Sequence, residues 1–388
     1  MSHPTKVVVT GLGLTTVLGS TAPTTWQKLM AGESAIALRQ PFLDLTPIPL
    51  AMRGKEPLLL NDVVQAVVQE AWKDSGLSES QAEDWLNPDC GVVIGSSRSH
   101  LRDWENMARS QQGASGSVNG DWLAALPHMP ALQAARMVNA GGPVLAPMAA
   151  CATGVWAIAQ AAELIRSGQC SRVIAGAVES PITPLTIAGF RKMGALATTG
   201  CYPFDREREG FVLGEGGAVM VLESAEVAAA RQAKTIYGEI LAAGITNDSH
   251  HVSSFDPSYA MGRRAVERCL QRSRLTPASI DAVHVHGTST QQNDRMEACV
   301  IAQMLAKEVP VIASKGATGH TLGASGALVV ALSLLSLKQQ ALLPCVGLRE
   351  ADFELNFVRK GQAAALEHML CFSFGFGGQN AVLALSAA

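Results

Sequence analysis

A chain of 388 residues, 48% hydrophobic and only 16% charged, can bury a large core and folds as two domains or one large duplicated unit, which excludes a disordered or fibrous protein. Its formal net charge of −3, with no run of like charges, gives no basic stripe for nucleic acid and nothing to grip a membrane surface. The eight cysteines are scattered without a C-x-x-C pair, so neither a zinc site nor a disulfide framework is signalled, and most read as small buried hydrophobes.

The opening "MSHPTKVVVTGLG" enters a strand at once and has neither the pattern of a secretory signal nor that of a transit peptide, so a cytosolic location is expected. Gly11 and Gly13 follow that strand, but Thr16 stands where the third glycine of a dinucleotide fingerprint belongs, and nicotinamide or flavin binding is poorly supported. Further short β-branched runs follow: "GVVIGSS", "RVIAGAVES", "GGAVMVLES", "DAVHVHGTS", "VPVIASKG" and "NAVLALSAA". Between them lie helical stretches, "NDVVQAVVQEAWKDSG", "GVWAIAQAAELIRSG", "RAVERCLQRS" and "GALVVALSLLSLKQQ". Mixed α/β layering follows from that alternation. The apolar stretches read as too short to span a bilayer, which takes about 18 to 20 residues. Residues 102–123 show neither period and are rich in Gly, Ser and Asn, which predicts a surface excursion, a flap or a contact surface. No G-x-S-x-G occurs, because "GASGA" ends in Ala327.

An internal echo is visible. Pro143-Val144-Leu145-Ala146 precedes a small-residue turn and an Ala-rich helix, and Pro310-Val311-Ile312-Ala313 precedes a Gly-rich turn and a Leu-rich helix, which hints at duplication. The first of these turns, "APMAACATGVW", places Cys151 in the first turn of the helix that follows. There the positive end of the helix dipole and unpaired N–H groups favour thiolate, and flanking alanines leave room for an approaching group. A buried structural cysteine is the plainer reading. Two histidines on strand-to-helix loops, His286 in "HVHGTST" and His320 in "SKGATGHTLGASG", change the balance. Alone each reads as a satisfied structural histidine; with a cysteine ahead of a helix they are the ingredients of thiol nucleophile chemistry with imidazole donors.

"ACATG", "PFDREREGFVLGEGG", "HGTST", "KGATGHTLGASG" and "FSFGFGGQNA" together resemble the elongating β-ketoacyl-acyl carrier protein synthases, the thiolase-fold condensing enzymes of fatty acid and polyketide synthesis, over nearly the whole chain. The resemblance implies a duplicated five-layer αβαβα fold. Residues 1–236 form the half that carries the cysteine, and residues 237–388 the half that carries the histidines. It implies an acyltransferase without cofactor or metal, a 3-oxoacyl-acyl carrier protein synthase. Cys151 takes an acyl group from a carrier protein, His286 and His320 stabilise the oxygen of a decarboxylating malonyl thioester, and the chain grows by two carbons. The N–H groups of Cys151 and Phe376 would hold the oxyanion. Lys315 and Glu297 match the family's ion pair beside the site, against a plain surface pair. Thr288 and Thr290 match the phosphopantetheine-binding hydroxyls, against ordinary turn caps. Phe374 and Phe376 match the substrate-side aromatics, Phe376 as a gate, against core packing. The expected partners are acyl carrier protein and a second copy of the chain, with no nucleic acid and no membrane.

Departures bear on the floor of the site and on docking. The chain has "KGATGH" where the family shows "KxMTGH", and "GGQN" for "GGTN". The helix "NDVVQAVVQEAW" lacks the basic residues that meet an acidic carrier, and Gly194 replaces an arginine, with Arg191 and Lys192 beside it able to compensate. Rival readings are a chain-length-factor-like partner subunit, which typically lacks the cysteine, and a biosynthetic thiolase, which usually carries one histidine and a second cysteine.

Overall fold

Val7–Thr16 forms a strand in which every residue is buried, because helices cover both faces of its sheet and no solvent-facing alternation is required. The glycines of its "GLG" have a packing role: a Cβ on Gly11 would lie 2.3 Å from the Ala71 carbonyl oxygen, and one on Gly13 1.9 Å from that of Val67. The helix Leu60–Asp74 therefore sits directly on the strand backbone, and its Glu70 and Asp74 carboxylates accept the N–H groups of Leu14 and Leu12. The computed structural model from which these contacts come describes residues 5–77, 86–111 and 122–388.

The central sheet has eleven strands among the described residues. In the first part of the chain the spatial order is Val144–Leu145, Cys90–Gly95, Arg172–Glu179, Gly216–Ser224, Val7–Thr16, which is third, second, fourth, fifth, first in sequence. In the second part it is Pro310–Ile312, Ala282–His284, His368–Gly375, Gln379–Ser386, Gly238–Asn247, again third, second, fourth, fifth, first, with Asn356–Phe357 added at the outer edge. Parallel and antiparallel pairings match strand for strand. The Pro-Val echo thus marks the third strand of each repeat. The two sets join through Val8 with Glu239 and Val9 with Gly238.

Each strand serves two cores. In Arg172–Glu179, Val173, Ala175 and Ala177 face the middle of the molecule, while Ile174 and Val178 face the helices Leu60–Asp74 and Met129–Met137. In His368–Gly375, Met369 and Cys371 face the middle, and Leu370, Phe372 and Phe374 face the helices Ala260–Ser273 and Gln291–Met304. The middle layer is the pair Thr153–Arg166 and Ser325–Gln339. Helix, sheet, helix pair, sheet, helix gives the five-layer αβαβα arrangement expected from the resemblance.

Three expectations change. The stretch Leu322–Gln339 reaches 18 residues with a mean hydropathy of 1.4, long and apolar enough to span a bilayer, but 89% of it is buried in the protein: it is the central core helix. Part of the segment read as irregular is the helix Leu101–Gln111, followed by a 3₁₀ turn Trp122–Ala125; residues 112–121 lie outside the described residues. Leu101, Trp104 and Ala108 recur at helical spacing in it, a period that the Gly-, Ser- and Asn-rich residues after it concealed, and Trp104 Nε1 ties the helix to the Ala125 carbonyl at 2.9 Å. The strand Gly238–Asn247 escaped the sequence reading because "GEILAAGITN" is poor in the β-branched and aromatic residues that mark strands.

The helix pair crosses at glycine. A Cβ on Gly154 would lie 2.2 Å from the backbone nitrogen of Ala327, and one on Gly326 2.8 Å from that of Val155. Gly154→Ala therefore should lower unfolding stability by roughly 1–3 kcal/mol despite alanine's better helix propensity, read from the urea midpoint. An unchanged midpoint would show that the helices can part without cost.

Candidate active site

Cys151 lies one residue ahead of Ala152, the N-cap of the helix Thr153–Arg166, and thus just outside the first turn expected for it. Ala150 before it is held at φ 48°, a left-handed conformation unusual for a residue with a Cβ and of a kind that collects at functional sites. The turn is closed by Thr153, whose Oγ1 accepts from Ala149 N at 2.8 Å and donates to Ala150 O at 2.7 Å, and by Ser373 Oγ, which donates to Cys151 O at 3.0 Å. Ala149 and Ala152 are core residues. Ala150 meets the neighbouring strand, where a Cβ on Gly375 would lie 3.2 Å from its own. The alanines are small because the turn is wedged between strand and helix, a firmer reason than clearance for a substrate.

Cys151 Sγ and one ring nitrogen each of His286 and His320 lie within 4.8 Å of one another, all three residues buried. The rings of the two histidines meet edge to face at 5.2 Å, and Phe211 stands edge to face on His320 at 5.1 Å. Lys315 Nζ lies 3.3 Å from His286 Nδ1 and donates to the His286 carbonyl. An ammonium has only donors, so Nδ1 accepts and the ring proton sits on Nε2, facing the cavity. His320 Nδ1 lies 3.1 Å from Ser325 Oγ.

Lys315 and Glu297 favour each other's charge across the buried site, and both also grip one loop. Glu297 Oε1 accepts His286 N at 2.6 Å, and Oε2 accepts Gly287 N at 2.6 Å and Asn293 Nδ2 at 2.7 Å, while Lys315 takes the carbonyl of the same residue. Burial pushes the Glu297 carboxyl up and the Lys315 amine down from their ordinary values. Burial and then the Lys315 charge hold both histidines well below 6.5, so both are neutral at pH 7. Burial also pushes the Cys151 thiol up to about 11; Lys315, Arg98 and the Phe376 N–H favour thiolate without offsetting that. Burial thus works against the thiolate that the helix start favours.

A cavity of about 240 Å³ opens from this cluster, lined by Cys151, both histidines, Thr288, Thr290, Phe374 and Phe376 among others. The Thr288 and Thr290 hydroxyls lie 2.9 Å apart, and Thr290 also caps the helix Gln291–Met304, so capping and cavity lining coexist. Phe374 is buried, edge to face with His286 at 6.4 Å. Phe376 is half-buried on Phe190 with ring centroids 6.2 Å apart, and precedes Gly377 and Gly378 at φ 78° and 73°.

Sequence reasoning missed Glu179, Phe190 and Ser325. Glu179 is fully buried and accepts Ser97 N at 2.9 Å, Arg98 N at 3.0 Å and Gly323 N at 3.0 Å, tying a loop of the first repeat to the loop that carries His320. A carboxylate ending the apolar run "RVIAGAVES" was the available signal. In "KGATGH" Gly316 is fixed by packing, since a Cβ there would lie 1.8 Å from the Val346 carbonyl oxygen, and Ala317, the residue that departs from "KxMTGH", is fully buried beside it.

A buried thiol facing two neutral imidazoles, at the junction of two repeated α/β halves, is the arrangement that thiol-based acyl-transfer enzymes use. Comparison with known proteins narrows the class. Residues 61–228 match the family described as "Beta-ketoacyl synthase, N-terminal domain" and residues 237–349 its "C-terminal domain". Proteins named 3-oxoacyl-[acyl-carrier-protein] synthase 2 are similar throughout. That of Mycobacterium leprae is 33% identical over 98% of this chain and 96% of its own, and that of Staphylococcus aureus 32% identical over 99% and 98%. Among solved structures, a β-ketoacyl synthase from Burkholderia phymatum superposes with a TM-score of 0.89 at 28% identity over 99% of this chain and all of its own. A type II PKS ketosynthase structure containing its acyl-carrier protein superposes at 0.91 with 25% identity over the whole of both. The chain belongs to the β-ketoacyl synthase family.

The thiol's position dictates a pH response. In the substrate-free enzyme the iodoacetamide alkylation rate of Cys151 should keep rising about tenfold per pH unit through pH 9, because thiolate is the reacting form and remains a minority below about 11. A plateau near pH 7 would instead show a thiolate already formed.

Proposed function

We propose that this chain is a β-ketoacyl-acyl carrier protein synthase that extends a fatty acyl or polyketide chain by two carbons on Cys151, with residues 1–236 and 237–388 as its two halves. The observation that carries the reading is the convergence of Cys151 Sγ and the two histidine nitrogens within 4.8 Å at the inner end of one cavity. Cys151 attacks an acyl thioester and holds the acyl group. A malonyl thioester follows, with its arm against Thr288 and Thr290. Loss of carbon dioxide builds negative charge on the thioester oxygen, where the neutral imidazoles present Nε2–H. The resulting carbanion equivalent attacks the acyl-Cys151 carbonyl, and the Phe376 N–H, already directed at the sulfur, is placed to steady the oxyanion. Phe376, with two positive-φ glycines after it, serves as the gate. The mechanism runs on carbon dioxide release and needs no cofactor or metal.

The carrier docks where Met193, Gly194, Ser253 and Ser254 line the cavity, with Arg191 and Lys192 at the end of the adjoining helix Pro184–Lys192 as its cationic contacts. The type II PKS structure, a ketosynthase in complex with its acyl-carrier protein, supports a carrier partner. A second copy of the chain pairs along the edge strand Val144–Leu145, whose side chains are 40% and 38% exposed beside Met148 at 63%. The protein works in the cytosol.

Cys151→Ala should reduce condensation of acyl and malonyl carrier substrates to background, roughly a thousandfold or more, and abolish the acyl mass adduct. Condensation at the wild-type rate would refute the nucleophile assignment. Leu145→Lys should convert the dimer to monomer in light scattering; an unchanged mass would place the interface elsewhere.

A further inference from the structure

The two histidines are near-equivalent in the site but differ in what stands behind them. His286 is backed by Lys315 Nζ, a donor at 3.3 Å from Nδ1, which keeps the proton on Nε2. His320 is backed by Ser325 Oγ at 3.1 Å, a hydroxyl that can donate or accept. Ser325 is 3% exposed, and His320 is the one hydrogen-bond partner its hydroxyl has among the described residues. Little else is free to change around His320. Its N–H donates to Val212 O at 2.6 Å, its carbonyl accepts from Gly214 N at 3.0 Å, and Phe211 and His286 meet its ring edge to face. The ring is held; its proton is not.

We infer that Ser325 is a positioning residue that makes His320, and not His286, the base for Cys151. When Ser325 Oγ accepts from Nδ1–H, Nε2 presents a lone pair to the nearby thiol. As Sγ attacks the thioester carbonyl carbon, the thiol proton passes to Nε2, giving an imidazolium whose Nδ1–H is held by the serine. When the tetrahedral adduct collapses, the C–S bond to the carrier arm breaks and the Nε2 proton leaves with the departing thiolate. For decarboxylation the hydroxyl turns to donate to Nδ1 and Nε2–H faces the malonyl thioester oxygen; exchange of the ring proton with solvent between the two half-reactions resets the tautomer. His286 has no such freedom and remains a donor in both steps.

This inference rests on the proposed condensing function, and the test separates the two. In wild-type enzyme, single-turnover acylation of Cys151 and malonyl decarboxylation by the preformed acyl-enzyme are measured separately; failure of both would refute the function itself. In Ser325→Ala the loss of a hydrogen bond to a charged imidazolium should slow acylation by roughly ten- to a hundredfold, and about ten times more than it slows decarboxylation. Ser325→Thr, which keeps the hydroxyl, should retain acylation to within about threefold, since the hydrogen bond is preserved. Equal slowing of both half-reactions in the alanine variant, no slowing of either, or a threonine variant as slow in acylation as alanine would overturn the assignment.

Discussion

Two helix beginnings meet at one point, and the site depends on that contact. Each repeat sends its third strand into a turn and then a middle-layer helix. Because Gly154 and Gly326 have no side chains, the two helices can abut backbone to backbone at their first turns. Cys151 lies three residues before Gly154, Ser325 immediately before Gly326 and His320 one helical turn and more ahead of it. The repeated topology thus brings together, at the centre of the molecule, residues some 170 positions apart in the chain. His286 arrives from the second strand of the second repeat, which pairs with the third strand.

Two buried carboxylates make this meeting rigid. Glu297 and Glu179 each bind several backbone N–H groups, the first within the second repeat and the second across the two. Satisfying loop backbone by side chain lets irregular segments lie in a water-poor interior that sheet or helix could not supply there. The same dryness disfavours charge on the thiol and the imidazoles, and it works against charge on Lys315 and Glu297 behind the rings as well. Charge in the reacting groups then develops only as bonds change, where fixed donors are already in place.

Much of this was legible in the sequence because it rests on local patterns. The alternation of β-branched runs with Ala- and Leu-rich helices gave the layers, and four letters around Pro143 and Pro310 marked equivalent strands of the repeat. Cys151, His286 and His320 stood out through the turns that carry them. Harder to read were the strand Gly238–Asn247, whose composition is that of no particular element, and the helix Leu101–Gln111, whose helical spacing of Leu101, Trp104 and Ala108 runs straight into a Gly-, Ser- and Asn-rich stretch. The burial that opposes the Cys151 thiolate was not readable at all, since a helix start argues for thiolate and only the depth of burial acts the other way. Glu297 shows the same limit; its place beside Lys315 followed from the resemblance, but its grip on backbone N–H groups did not.

The central helix Ser325–Gln339 has a further consequence, for how the chain is made. Every residue from Ser325 to Leu337 is buried, with apolar side chains on all sides and no polar face to offer water. Its partner Thr153–Arg166 is synthesised more than 150 residues earlier and must wait, its inner face uncovered, until this segment has been made. The first repeat therefore cannot complete its core while it is the only part of the chain in existence, and the last third of the sequence carries the piece that closes both halves. Until then the apolar inner face of Thr153–Arg166 stands open to wrong contacts, the state in which long chains are prone to aggregate.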